Sequence, residues 1–132
     1  MTLRQKIFFR ILLAVYLVVL AVLCLGKFSS TGSLPKALLG IPMDKIVHFC
    51  MFLPFPVLVY LALDHLTSRL WQSLLMTAGL FALGCGLAAL TEYLQSLTTW
   101  RSADGKDFIA DVVALAAGSV IIFIIDVLKQ KK

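Results

Sequence analysis

Eight polar residues hold most of the chemistry open to this chain: Asp44, Lys45, His48, Glu92, Gln95, Arg101, Asp107 and Asp111. An imidazole among carboxylates can take and return a proton near neutral pH, where histidine titrates unperturbed. Lysine and arginine beside it can hold a phosphate, one as a point charge and the other as a planar fork. The carboxylates with His48 can also hold a hard divalent ion such as Mg²⁺ or Mn²⁺, but Lys45 and Arg101 already supply positive charge there. With one histidine and no ligating cysteine pair the set is a poor zinc site. No cofactor and no resident metal is expected.

The rest of the chain is apolar. Hydrophobic residues make up 61% of it and charged residues 14%, with a mean hydropathy of +0.97. That composition belongs to a multi-pass membrane protein and not to a soluble domain. Four stretches, 7–25, 46–63, 71–91 and 108–128, each approach the ~20 residues that a membrane helix needs. The longest connections, 26–45 and 92–107, leave no room for a second domain. The expected fold is therefore all-α, a single integral-membrane four-helix bundle over residues 1–132. Five of the seven acidic residues, Asp44, Glu92, Asp104, Asp107 and Asp111, fall at the same ends of three of these stretches. A carboxylate costs about 2.5–3.5 kcal/mol at a helix centre on insertion scales. Gathering several at one depth builds a polar site there.

The net charge of +5 does not indicate nucleic-acid binding, because the basic residues sit at the ends of the apolar stretches. An even number of spans puts both termini on one side. That side carries Arg4, Lys6, Arg10, Arg69, Lys129, Lys131 and Lys132, and the other carries Lys27, Lys36, Lys45, Arg101 and Lys106. The positive-inside rule then places both termini in the cytoplasm and the polar site outside. The first stretch follows Arg4, Lys6 and Arg10 as a signal peptide would, yet no small-x-small cleavage site comes directly after it, so it reads as an uncleaved helix. Cys24, Cys50 and Cys85 are scattered through the spans as small packing residues, with no disulfide framework.

Helical spacing says how the stretches deliver their polar groups. In the third, Ala78, Ala82, Cys85, Ala89 and Glu92 recur at steps of four, three, four and three. Small residues let membrane helices approach closely, so this seam is expected to face protein. In the fourth, Asp107, Asp111, Ala114 and Gly118 form a second seam, four, three and four apart. The two seams are expected to pack together and point Glu92, Asp107 and Asp111 into one cleft. Asp104 and Asp107 suit the start of a helix, where Asp104 can cap it. Glu92 sits at a helix end that the dipole makes unfavourable for an acid, so it needs a cation or a ligand. In the second stretch Asp44 and His48 are four apart and share a face, which makes Asp44 a possible orienter of His48. Pro54 and Pro56 remove backbone donors further along and bend the helix.

These residues also resemble a known family. Asp44-Lys45-x-x-His48-Phe49-x-x-Phe52 is similar to the opening motif of the VanZ-like bacterial membrane proteins. Glu92-x-x-Gln95, Arg101, then Asp107 with Asp111 and Gly118 resemble that family's second block, and the likeness runs from Asp44 to Gly118. The family often has Asn at the position of Asp111 and Gly at that of Ala114. Its founding members are associated with resistance to the lipid-tailed glycopeptide teicoplanin. The resemblance therefore implies a bacterial inner membrane and a role at the cell envelope, without an agreed reaction.

Several readings follow from the residues. The cluster can be a structural lock, with Glu92 on Arg101 and Asp107 on Lys45 or His48. It can bind or modify a phosphate-bearing envelope lipid or wall precursor, with His48 as proton carrier. It can also serve proton- or ion-coupled transport in an oligomer, although the acids gather at one face and nothing comparable crosses the middle of the membrane. The expected partners are the lipid bilayer and that phosphate-bearing lipid. Whether the protein is an enzyme stays open at this point.

Overall fold

The computed structural model describes residues 1–26, 37–64, 67–99 and 105–132, with the backbone alone at 37–38 and 42–44. Its elements run α1 (Leu3–Leu25), β1 (Ala37–Leu38), β2 (Ile41–Pro42), α2 (Met43–Phe52), α3 (Pro54–Leu63), α4 (Leu70–Ser96) and α5 (Gly105–Gln130). Helices dominate the architecture. β1 and β2 are a two-residue antiparallel pair, Ala37 opposite Pro42, closed by Leu39 and Gly40 at φ 53° and 79°, the backbone of a tight hairpin. Four helical stretches are long and apolar enough to cross a membrane: Leu3–Leu25, Lys45–Leu63, Leu70–Ser96 and Gly105–Gln130. Each extends beyond the span expected from hydropathy. The third gains more than a turn, which places Glu92 and Gln95 inside α4 and not in a connection.

Local chemistry starts and interrupts these helices. Thr2 caps α1 reciprocally: its hydroxyl accepts from the Gln5 amide at 3.3 Å while the Gln5 side chain accepts from the Thr2 N–H at 2.8 Å, a capping box. The second span is divided at Leu53 into α2 and α3. Pro54 and Pro56 have no N–H, so the carbonyls of Cys50 and Phe52 lose their helical donors. Leu53 keeps helical dihedrals and donates to Phe49 O at 3.0 Å. Beside this break the Tyr16 hydroxyl of α1 donates to the Met51 carbonyl, and nearer the N-terminus of α1 Arg10 Nε donates to Ala62 O at 3.3 Å.

α4 and α5 form the most extensive helix pair, α2 and α3 lie along α5, and α1 rests on α3 and α4. Two glycines set the spacing. A Cβ at Gly84 would lie 2.4 Å from Leu115 Cδ2, and one at Gly118 would lie 2.7 Å from the Leu53 carbonyl oxygen. Ser73 meets Asp126 and Gly84 meets Leu115. That antiparallel register brings Ala88 opposite Asp111 and Glu92 opposite Asp107.

The buried face of α4 differs from the one expected. It is Ser73, Thr77, Leu80, Gly84, Ala88, Thr91 and Gln95, whereas Ala78, Ala82 and Ala89 are exposed. Small residues do line the helix contact, but the seam chosen is the one containing Gly84, because only a glycine admits Leu115 at that distance. The α5 seam lies as expected: Asp107, Asp111, Ala114 and Gly118 are all buried.

At the end holding the N-terminus, Lys6 Nζ lies 2.9 Å from Asp64 Oδ2 and the terminal amine 4.0 Å from Oδ1. The Lys6 hydrogen bond holds the Asp64 carboxyl below its ordinary value. A depressed folded-state pKa gives stability that is present above the unfolded pKa and lost as pH falls through the folded one. The stability difference between wild type and Asp64→Asn is therefore expected to be small and flat above about pH 5 and to close in acid. Denaturation in detergent across that pH range would measure it, and a difference that grows in acid would contradict the pairing.

Candidate functional site

α2 and α5 both begin at the same end of the bundle and run in the same direction. Residues one turn in on each are therefore level, and the four central groups come together for that reason. In the first turns, the Lys45 ammonium pairs with Asp107 Oδ1. One turn deeper, His48 Nδ1 lies 3.1 Å from Asp111 Oδ1. An ionised carboxylate only accepts, so Nδ1 carries the hydrogen in that contact. His48 Nε2 then faces Asp107 Oδ2 at 3.6 Å, too long for a direct hydrogen bond. The result is a chain Asp111–His48–Asp107–Lys45 that links the two helices.

Burial increases along that chain. Side-chain exposure falls from 14% at Lys45 and 10% at Asp107 to 9% at His48 and 0% at Asp111. The second oxygen of Asp111, Oδ2, is buried with no hydrogen-bond partner among the described residues. Glu92, on the last turns of α4, is half-buried and close enough to act electrostatically on His48. Gln95 is buried but turned towards α1, where Nε2 donates at 2.8 Å to the Cys24 carbonyl, one of those a helix end leaves unpaired.

Of the eight candidate residues, four thus make direct contacts with one another, Glu92 flanks them, and Gln95 ties down a neighbouring helix. Arg101 and the side chain of Asp44 lie outside the described residues. The described partner of His48 is Asp111, where sequence spacing had pointed to Asp44. Among the described residues no three of His, Cys, Asp and Glu are placed to hold a metal ion. Cys24, Cys50 and Cys85 form no disulfide.

A second polar cluster, outside the eight candidate residues, occupies the opposite end. Asp126 is 0% exposed. Its Oδ1 accepts from the Tyr60 hydroxyl at 2.9 Å, and its Oδ2 accepts from Ser73 Oγ at 2.6 Å and from the Thr67 hydroxyl. Gln130 Nε2 donates to Thr67 Oγ1 and lies 3.4 Å from Asp126 Oδ2, and Lys129 Nζ stands 5.2 Å from the centre of the Tyr60 ring. A signal was present: Ile122 and Asp126 continue the Asp107–Asp111–Gly118 stripe at steps of four. The donors come from α3, α4, α5 and residue 67, a convergence that spacing within one helix does not reveal.

Comparison of the chain with family models, with curated proteins and with solved structures finds no match in any of the three.

Proposed function

We propose that this is a VanZ-like protein of a bacterial inner membrane, with both termini in the cytoplasm and the Lys45–His48–Asp107–Asp111 cluster facing outward. The cluster holds the phosphate-bearing head group of an envelope lipid or wall precursor, and through it the protein affects tolerance of lipid-tailed glycopeptides. The observation that carries this reading is the Asp111–His48–Asp107–Lys45 chain. Asp111 fixes the imidazole by its Nδ1–H, leaving Nε2 directed at the lysine-bearing end. An imidazole so held can take a proton from a group that Lys45 positions. Lysine has three donors, and Lys45 directs one of them at Asp107. Glu92 and Asp107 supply the negative charge that keeps both bases in place.

A structural reading has an observation of its own. Lys45 and His48 already face carboxylates, as they would if the cluster only locked α2 to α5. A lipid-binding comparison separates the two. Purified protein exposed to phosphatidylglycerol and to diacylglycerol with the same chains is expected to retain the phospholipid preferentially in native mass spectrometry. Lys45→Met is expected to abolish that preference. Equal retention of both lipids by the wild type would return the cluster to a purely structural role.

A further inference from the structure

Buried polar atoms without partners are few in native proteins, and each one asks for a reason. On α4 and α5, Asp111 Oδ2, Ser119 Oγ and Thr77 Oγ1 have no hydrogen-bond partner among the described residues. Thr77 is 9% exposed and Ser119 5%. In the antiparallel register Ser119 stands opposite Leu80 and Thr77 opposite Ile122, about one turn further along, and Ser73 with Asp126 follows one turn beyond that. Two buried hydroxyls thus stand between the polar end clusters in the middle of the bundle. Along α5 the steps are about 12 Å from Asp111 to Ser119 and about 10 Å from Ser119 to Asp126, with Thr77 inside the second.

The first step crosses the proline break. The Leu53 carbonyl approaches α5 at Gly118, next to Ser119, and the carbonyls of Cys50 and Phe52 have lost their helical donors to Pro54 and Pro56. Backbone without its helical bonds is tolerated at membrane depth where it is buried in protein or lines a hydrated cavity. The apolar obstruction in this step is Leu115, 0% exposed and packed against Gly84.

We propose that the α4–α5 seam is a proton path joining Asp111 to Asp126, with Leu115 as its plug. The route also needs water between the orphan oxygens, more than one molecule per step of about 10–12 Å, each bonded to the next and to the oxygen at the end of the step. A proton on Asp111 Oδ2 passes from oxygen to oxygen, one O–H bond breaking as the next forms, by Ser119, Thr77 and Ser73 to Asp126 Oδ2. The Thr67 hydroxyl, hydrogen-bonded to the same Oδ2, then takes the proton as its own O–H proton passes to water at that end. The transfer is a relay with no net chemistry, and it is independent of any head group bound at the other end.

Proteoliposomes with a trapped pH dye and a valinomycin-set potassium potential test it. The wild type is expected to pass protons faster than protein-free vesicles, Leu115→Ala several-fold faster again, and Ser119→Ala added to Leu115→Ala to return the flux towards background. Because Leu115→Ala opens a cavity, wild type against Ser119→Ala alone is the comparison that stands if the larger variant unfolds. Wild-type and Leu115→Ala rates both equal to the protein-free rate overturn the proposal. So does a Leu115→Ala flux that Ser119→Ala leaves unchanged.

Discussion

Replacing Asp126 with alanine is expected to lower the unfolding free energy in detergent by about 3–5 kcal/mol, since each stranded donor that water does not reach costs about 1–3 kcal/mol. The hydroxyls of Tyr60, Thr67 and Ser73 all end on this one buried carboxylate. Removing it releases α3, α4 and α5 from each other at the end where α1 begins. Asp126→Asn should lose less, because its amide oxygen still accepts from part of the set. Chemical or thermal unfolding of the three proteins would measure this. An alanine variant within about 1 kcal/mol of wild type would mean that water replaces the carboxylate and that the network contributes little.

Gly118→Ala should destabilise by about 1–3 kcal/mol, the usual range for overpacking a close contact. The added Cβ would meet a backbone carbonyl at 2.7 Å and the Pro56 ring at 3.1 Å, and neither can rotate away. Elsewhere in a helix the same exchange is favourable by up to about 1 kcal/mol. Gly79 and Gly86 have nothing within 4 Å of a built Cβ, so Gly79→Ala and Gly86→Ala are expected to be neutral or stabilising. The opposite signs within one protein isolate packing from propensity. Unfolding midpoints for the three variants provide the check, and a stable Gly118→Ala would show that α2 and α3 can move off α5.

The helical architecture was legible because membrane spans are written in hydropathy, which needs no knowledge of neighbours. The α5 seam was legible too, because Asp107, Asp111, Ala114 and Gly118 repeat at helical spacing beside acids that have to be sheltered. α4 was harder. It carries small residues on more than one face, Ala78, Ala82 and Ala89 on one and Gly84 and Ala88 on another, and composition alone does not rank them. Leu115 decides between them by the room it needs. Of the two partners the residues offered Asp107, Lys45 pairs with it directly and His48 stands 3.6 Å from its other oxygen. The partner of His48 depended on α2 and α5 starting level, a tertiary fact. Asp126 was missed for a related reason: three of its donors, Tyr60, Thr67 and Ser73, are spread over α3, residue 67 and α4, where each reads as an ordinary residue.

Helix α1 stands apart from the rest of the bundle. Only 11% of its most apolar window is buried, so most of it faces away from the rest of the chain. Yet it is pinned at three heights by single hydrogen bonds, Arg10 to the Ala62 carbonyl, Tyr16 to the Met51 carbonyl, and its own Cys24 carbonyl to Gln95. Each bond engages a main-chain oxygen, which cannot change identity by mutation. Two of these bonds reference the vertical setting of α1 to the backbone of α2 and α3, and the third ties its own backbone to the Gln95 side chain. Its outward-facing residues can drift among apolar types without altering that setting. Two regimes of sequence tolerance therefore coexist on one helix, and hydropathy sees only the permissive one.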